Sequence, residues 1–201
     1  MNDEKPPGSS HQLPYPTRGS LDRLIYKLPL LLWRMGLGVY FSHPARGGSR
    51  MLVLTTRGRK SGKPRHTMVS AVSVEGKDYI LSGWGPRSQW VKNINQDPLV
   101  TVQVFRRSYH AFIRQITNQD EFSRVVAEMF HTGGDSHFKT WLQSLGIEYS
   151  PADMVSKRAR ITMYGFEPAD REGPAPLKAN LVWIYPALLA ISLGIAWLLM
   201  K

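Results

Sequence analysis

The chain contains no cysteine, which excludes disulfides, thiolate nucleophiles and Cys-ligated metals. Acids are scarce: 15 Asp and Glu stand against 26 Lys and Arg, for a formal net charge of +11. No acid occurs between Arg46 and Glu75, a stretch that carries Arg46, Arg50, Arg57, Arg59, Lys60, Lys63 and Arg65. A cationic run of this kind suits an anionic partner. A phosphorylated cofactor, anionic lipid headgroups and nucleic acid all meet that requirement on charge alone. Nucleic acid ranks last, because the cations gather in one loop with no recognition motif beside them. No metal site is expected: His131 and His137 lie six apart with no third ligand nearby. A secretory signal is not expected either, since MNDEKPPGSSHQLPYP sets acids and prolines ahead of any apolar run, and residues 1–19 read as a disordered leader.

Charge is absent again from Leu181 to Met200, LVWIYPALLAISLGIAWLLM. As a continuous helix at about 1.5 Å per residue this run spans a bilayer core of roughly 30 Å, so residues 181–200 are expected to form a transmembrane anchor. Trp183, Tyr185 and Trp197 stand near its ends, where aromatic rings favour the headgroup region. Of the cations only Lys201 follows the run, which predicts a folded part on the cytoplasmic face of the cell membrane. Residues 168–180, within the Pro-rich stretch EPADREGPAPLKAN, read as a tether. The earlier apolar stretch LIYKLPLLLWRMGLGVYF is interrupted by Lys27, Pro29 and Arg34 and is unsuited to a second span. Residues 20–45 instead read as an amphipathic helix capped by Ser20 that runs towards Tyr40 and lies on the membrane or the domain, with Gly47-Gly48 ending the segment.

With leader and anchor set aside, about 140 residues remain, enough for one domain with a single core, which is expected over residues 46–167. MLVLTTR, HTMVSAVSV, DYILSG, LVTVQVF, YHAFIRQI and ARITMYGF alternate with a period near two and read as strands, with Glu75-Gly76-Lys77 as a tight hairpin. RSQWVKNINQD reads as a short helix capped by Ser88 that buries Trp90, Val91 and Ile94. Asn118 with Glu121 resembles a capping box opening a helix that Gly133-Gly134 stop. A further helix begins near Asp135 or Ser136, buries Phe138, Trp141, Leu142 and Leu145, and ends at Gly146. The expected fold is α+β: a small split antiparallel β-barrel with flanking helices, plus the C-terminal transmembrane helix.

The loop TTRGRKSGKPRHT carries the densest chemistry. It is not a Walker A loop: three residues separate Gly58 from Gly62, Pro64 stands where a magnesium-binding Ser or Thr belongs, and a strand follows. What remains is a hairpin whose backbone amides can form an anion nest, with Arg59, Lys60 and Arg65 in reach of phosphate or carboxylate oxygens and Ser61 adding a hydroxyl.

LVLTTRGRKSGKPRHTMVSAV, followed by SGWGPRSQWVKNINQDPLVTVQV, resembles the deazaflavin (coenzyme F420)-dependent nitroreductase family, a branch of the split β-barrel flavoproteins. The likeness runs from Leu52 to Val104 and continues more weakly to Phe166. It implies an F420-dependent oxidoreductase that transfers hydride to a quinone or nitro compound. It implies further that Arg59, Lys60 and Ser61 meet the cofactor's tail, that Arg65, His66, Thr67, Met68, Val69 and Ser70 line the binding strand, and that Ser82, Gly83, Trp84 and Gly85 with Gln89, Trp90, Val91, Lys92 and Asn93 frame the ring. The charge of the loop complements a cofactor bearing a phosphodiester and several carboxylates. Nitroreducing members often present tyrosines on the helix after the barrel, where this chain has Phe130, His131, Ser136, His137 and Phe138, so the catalytic proton donor stays open and a menaquinone-like acceptor suits a membrane-held domain better. Alternatives of another class are a non-catalytic F420 carrier, FMN in place of F420, or a tetrapyrrole. The partners expected are membrane lipid, the acceptor and, as in related barrels, a second copy in a homodimer.

Overall fold

The computed structural model describes residues 27–42, 50–132 and 136–200. The leader, the Ser20 cap, Gly47-Gly48 and the Gly133-Gly134 stop lie outside the described residues. Six antiparallel strands, β1 (Arg50–Arg57), β2 (Pro64–Val74), β3 (Lys77–Leu81), β4 (Leu99–Val104), β5 (Arg107–Gln115) and β6 (Met163–Pro168), close into a barrel in the order β1-β2-β3-β6-β5-β4. The α+β expectation holds, and alternation explains the barrel's two faces. Leu52, Leu54, Ala71, Ile80, Val100, Val102, Ala111, Ile113, Tyr164 and Phe166 fill the interior. Glu75 and Gly76, both at positive φ (50° and 77°), join Val74 to Lys77 as a two-residue turn whose twist matches the flanking strands.

The short helix α3 (Gln89–Ile94) caps the barrel interior with Trp90, Val91 and Ile94, the face expected from spacing. Trp90 meets Tyr164 edge to face at 5.2 Å. Ser88 precedes α3 without capping it through its side chain; its hydroxyl pairs instead with Ser82 Oγ at 2.8 Å. The core is not single as expected: outside the barrel, α4 (Gln119–His131), α5 (Ser136–Ser144) and α6 (Pro151–Ser156) build a second one with Val72, Tyr79 and Met163, around Val126, Leu142, Leu145 and Met154. The Asn118 side chain accepts from the Glu121 amide at 2.9 Å, capping α4. Gly146, at φ 67°, follows the end of α5. The last strand starts later than ARITMYGF suggests, because Arg158–Arg160 form a 3-10 turn whose Arg160 guanidinium donates to Leu145 O.

The Glu121 carboxylate returns to the barrel rather than to its own cap. It takes hydrogen bonds from Arg114 (2.7 and 3.0 Å) and from the Tyr79 hydroxyl (3.1 Å), and the Arg114 guanidinium holds it below the usual carboxylate range. A lowered carboxylate pKa contributes stability that is complete above the unfolded value, about 4.3, and is lost as pH falls through the folded one. Glu121→Gln is therefore expected to flatten the acid limb of stability below about pH 5, read as the urea midpoint against pH.

Two parts of the chain depart from expectation. The amphipathic segment is described from Lys27 and is not one helix: α1 (Leu28–Leu32), a π turn over Trp33–Leu37 and α2 (Gly38–Phe41) are separated by Gly36 at φ 83°. The Pro-rich stretch is no free tether but a strap across the outer face of β4 and β5. Ala169 N donates to His110 O, Thr101 Oγ1 to Pro174 O, and Gln103 both donates to and accepts from the Leu177 backbone.

The strap delivers the chain to the π turn, where Arg34 Nε donates to Asn180 Oδ1 and Leu181 N to Arg34 O, both at 2.9 Å. These contacts hold residues 181–183 in a turn, so the apolar helix α7 runs only from Ile184 to Leu199, 16 residues or roughly 24 Å. Among the described residues no helix is long and apolar enough to cross a membrane, which leaves the expected transmembrane anchor unsupported. No residue of α7 is buried.

Candidate functional site

The β1–β2 hairpin is shaped by Gly58, whose amide donates to Lys63 O while its carbonyl accepts from Ser61 N and Gly62 N. Gly62, at φ 64°, supplies the left-handed residue this turn requires. The hairpin is fastened to α3: Arg59 Nη1 donates to Gln89 Oε1 (3.1 Å) and Asn93 Oδ1 (3.3 Å), and Asn93 Nδ2 donates to Thr56 Oγ1 (3.0 Å). The two sequence blocks that carry the resemblance are therefore in direct contact. Lys60 has no hydrogen-bond or ion-pair partner among the described residues, and there the Arg65 guanidinium meets only the Ser61 hydroxyl, at 3.4 Å.

The cationic run divides by function. Arg50 turns into the barrel against Asp78, and Arg57 pairs with Asp97 at 3.0 Å. Arg59, Lys60 and Arg65 line a cavity of about 1260 Å³ that follows β2. Of the residues expected at the site, all line this cavity except Ser82, Gly85, Val91 and Lys92. Ser82 and Gly85 are buried behind its wall, where Ser82 Oγ donates to Gly85 O at 2.8 Å and shapes the turn that presents Gly83 and Trp84. Val91 belongs to the barrel core, and Lys92 is exposed. Trp90 does both, lining the cavity from a largely buried position in the core.

On the opposite wall the resemblance points only to His137 and Phe138. Met129 and Thr132, from α4 and its end, and His137, Phe138 and Trp141 from α5 complete the cavity. Phe138 and Trp141 stack with ring centroids 5.9 Å apart. Their spacing reads as a core stripe, but among the described residues of that helix Leu142 alone is fully buried, with Leu145 just past its end. Trp141 is directed by its Nε1 donating to Gly83 O at 2.9 Å, a contact across 58 residues that leaves no local trace. The excess of large aromatics on so short a helix is the one signal that points to a wall rather than a core. Lys27, Pro29 and Leu30 close the third side.

His66 lies on the outer face of β2, half-buried, with Nδ1 2.9 Å from Thr55 Oγ1 on β1. Burial, with the nearby Arg34 charge, lowers its pKa and favours the neutral ring.

Among the described residues no Asp or Glu lines the cavity, whereas Lys27, Arg59, Lys60 and Arg65 do. A barrel with a cationic groove of this size defines a binder of a large polyanionic cofactor, and coenzyme F420, with its phosphodiester and several carboxylates, fits that donor set. Residues 35–140 match the F420H(2)-dependent quinone reductase family, and the chain belongs to it. It is accordingly a deazaflavin-dependent oxidoreductase with coenzyme F420 as cofactor. No curated protein matches the chain. Among solved structures it is similar to an F420-H2 dependent reductase, FDR-A (19% identity over 58% of this chain and 93% of that one, TM-score 0.34). It is also similar to the conserved hypothetical protein Rv2991 from Mycobacterium tuberculosis (15%, 68% and 80%, 0.41) and to the heme storage protein HutZ from Vibrio cholerae (14%, 65% and 89%, 0.41). At these values the structures add nothing to the family match.

Proposed function

We propose that this chain reduces a lipid-soluble quinone at a membrane surface, using hydride drawn from reduced coenzyme F420. The observation that carries the reading is the asymmetry of the cavity, cationic at the hairpin end and aromatic and apolar along Met129, Phe138 and Trp141. Arg59, Lys60, Ser61 and Arg65 would hold the phosphate and carboxylates, while Met68, Val69, Ser70, Gly83 and Trp84 would border the ring. The bound cofactor supplies the hydride, so the protein's part is to position the acceptor and to stabilise the charge that develops on its oxygen. The aromatic wall gives a planar acceptor a stacking surface.

The membrane part of the reading rests on α7. A helix apolar all round is normally covered, yet Leu188, Leu189, Ile191, Leu193, Ile195 and Leu198 are each more than half exposed. The strong net positive charge suits a bilayer with anionic headgroups. Leu28 and Leu31 are exposed on α1, beside the cavity-lining Pro29 and Leu30, and the chain entering α7 is tied to Arg34 of the same segment. A quinone leaving the bilayer would meet the cavity there.

The test is turnover of F420H2 with a long-chain quinone in anionic vesicles and with a short water-soluble quinone, for the full chain and for a chain ending at Tyr185, which keeps the Tyr185 to Met35 O contact. Loss of vesicle binding with at least a tenfold fall in long-chain turnover, and with short-chain turnover retained, is the expected result. Equal long-chain turnover would remove the membrane from the function, and reduction supported by FMN alone would remove F420.

A further inference from the structure

Two threonine–histidine pairs stand in one row across the barrel's outer face. β2 His66 pairs in register with β1 Thr55, Thr55 with β4 Thr101, and Thr101 with β5 His110. In each pair the threonine hydroxyl meets histidine Nδ1, at 2.9 Å for Thr55–His66 and 3.0 Å for Thr101–His110. Their surroundings differ. The strap seals the second pair: Thr101 Oγ1 donates to Pro174 O, so its remaining capacity is to accept from His110 Nδ1–H. A Cβ on Gly173 would lie 3.0 Å from both His110 Nδ1 and Thr101 Oγ1, so the strap leaves no room for anything else. That pair is structural.

The first pair has no strap. Thr55 is fully buried, and among the described residues its hydroxyl meets one polar partner, His66 Nδ1. If Nδ1 carried the hydrogen, the Thr55 hydroxyl proton would be stranded in the interior at the cost of a lost hydrogen bond. Thr55 therefore donates, Nδ1 accepts, and the neutral ring carries its hydrogen on Nε2. His66 lines the cavity, beside Arg65 and under the field of Arg34, with no acid among the described residues on the cavity wall.

Resting on the F420 reading of this cavity, we propose that Thr55 fixes His66 as the Nε2–H tautomer so that His66 donates a hydrogen bond to a negatively charged oxygen of the bound ligand. That oxygen belongs either to the cofactor or to the acceptor as it takes up hydride. A neutral donor can hold such an oxygen without giving up its proton, and the lowered pKa keeps it neutral near pH 7.

The experiment uses the full chain in detergent micelles with ¹⁵N-labelled histidine, the His66 signals being assigned by their loss in His66→Leu. Wild type is expected to show protonated Nε2 and bare Nδ1 at His66, and Thr55→Val to mix the tautomers; a protonated Nδ1 in wild type overturns the proposal whatever the cofactor. Binding of oxidised F420 and steady-state turnover are then compared. His66→Leu, which has no donor, is expected to weaken F420 binding about 10- to 100-fold if the oxygen is the cofactor's, or to lower kcat by that factor at unchanged Kd if it is the acceptor's. His66→Gln, which restores an N–H, should recover most of the loss. Unchanged Kd and kcat in His66→Leu would overturn the proposal, whereas failure of wild type to bind F420 would instead sink the cofactor assignment.

Discussion

Asp78→Ala is expected to destabilise the fold by about 3–5 kcal/mol, an effect read from the urea midpoint at constant m. Asp78 points into the barrel, where its side chain is 3% exposed and receives the guanidinium of Arg50 from the start of β1. The Tyr109 hydroxyl approaches its other oxygen at 3.5 Å, and burial, reinforced by the Asp78 charge, pushes the Tyr109 pKa up. Arg50 Nε already lacks a partner among the described residues, so removing Asp78 strands a largely buried cation without its counter-ion. The double variant Arg50→Met, Asp78→Ala is expected to be more stable than Asp78→Ala alone, because an apolar stem replaces the stranded charge. A double variant no better than the single one would show that the loss comes from the cavity left by Asp78. This ion pair sits at the opposite end of β1 from the hairpin, roughly 20 Å away, so the hairpin's contacts to the anionic tail should persist in the molecules that remain folded, whereas Met51, Ala71 and Tyr79, which line the cavity, adjoin the pair.

That ion pair marks where reading the chain alone stops. Leu52, Leu54, Val100 and Val102 announce a barrel face by alternation, and the Glu75-Gly76 turn, the Asn118 cap and the buried side of α3 follow from local rules. Arg50, by contrast, stands at a strand end in a cationic run and reads as part of the anion site; its partner is 28 residues away and nothing local reveals it. Distance also hides the aromatic wall, since Trp141 becomes a cavity residue only through Gly83 O. The apolar run from Leu181 fails for a related reason. Composition permits a helix over its whole length, but the first three residues are held in a turn by the backbone of Arg34, a tertiary contact that shortens the helix by one turn. The hairpin chemistry was legible because the residues that shape the loop and those that face the cavity lie within one short segment.

The hairpin gives the second large effect. Lys60→Ala is expected to weaken binding of oxidised F420 about 10- to 100-fold, the range for losing one charge-assisted hydrogen bond to phosphate or carboxylate. Lys60 is the cleaner probe, because it has no partner among the described residues to disturb. Arg59→Ala should cost more, since Arg59 also ties the hairpin to Gln89 and Asn93 of α3. Arg59→Lys separates the two roles: it keeps the charge but loses the planar fork, so its Kd should fall between wild type and Arg59→Ala. Ionic strength supplies an independent check. Raising salt from about 0.01 M to 1 M shortens the screening length from about 30 Å to about 3 Å, which should weaken wild-type binding more than binding by the Arg59→Ala, Lys60→Ala double variant. FMN, with a single phosphate, should lose less than F420 in every variant. If instead the double variant bound F420 as tightly as wild type at low salt, the cofactor's anionic tail would lie away from the hairpin, and Lys27, on the other side of the cavity, would be the cation to test next.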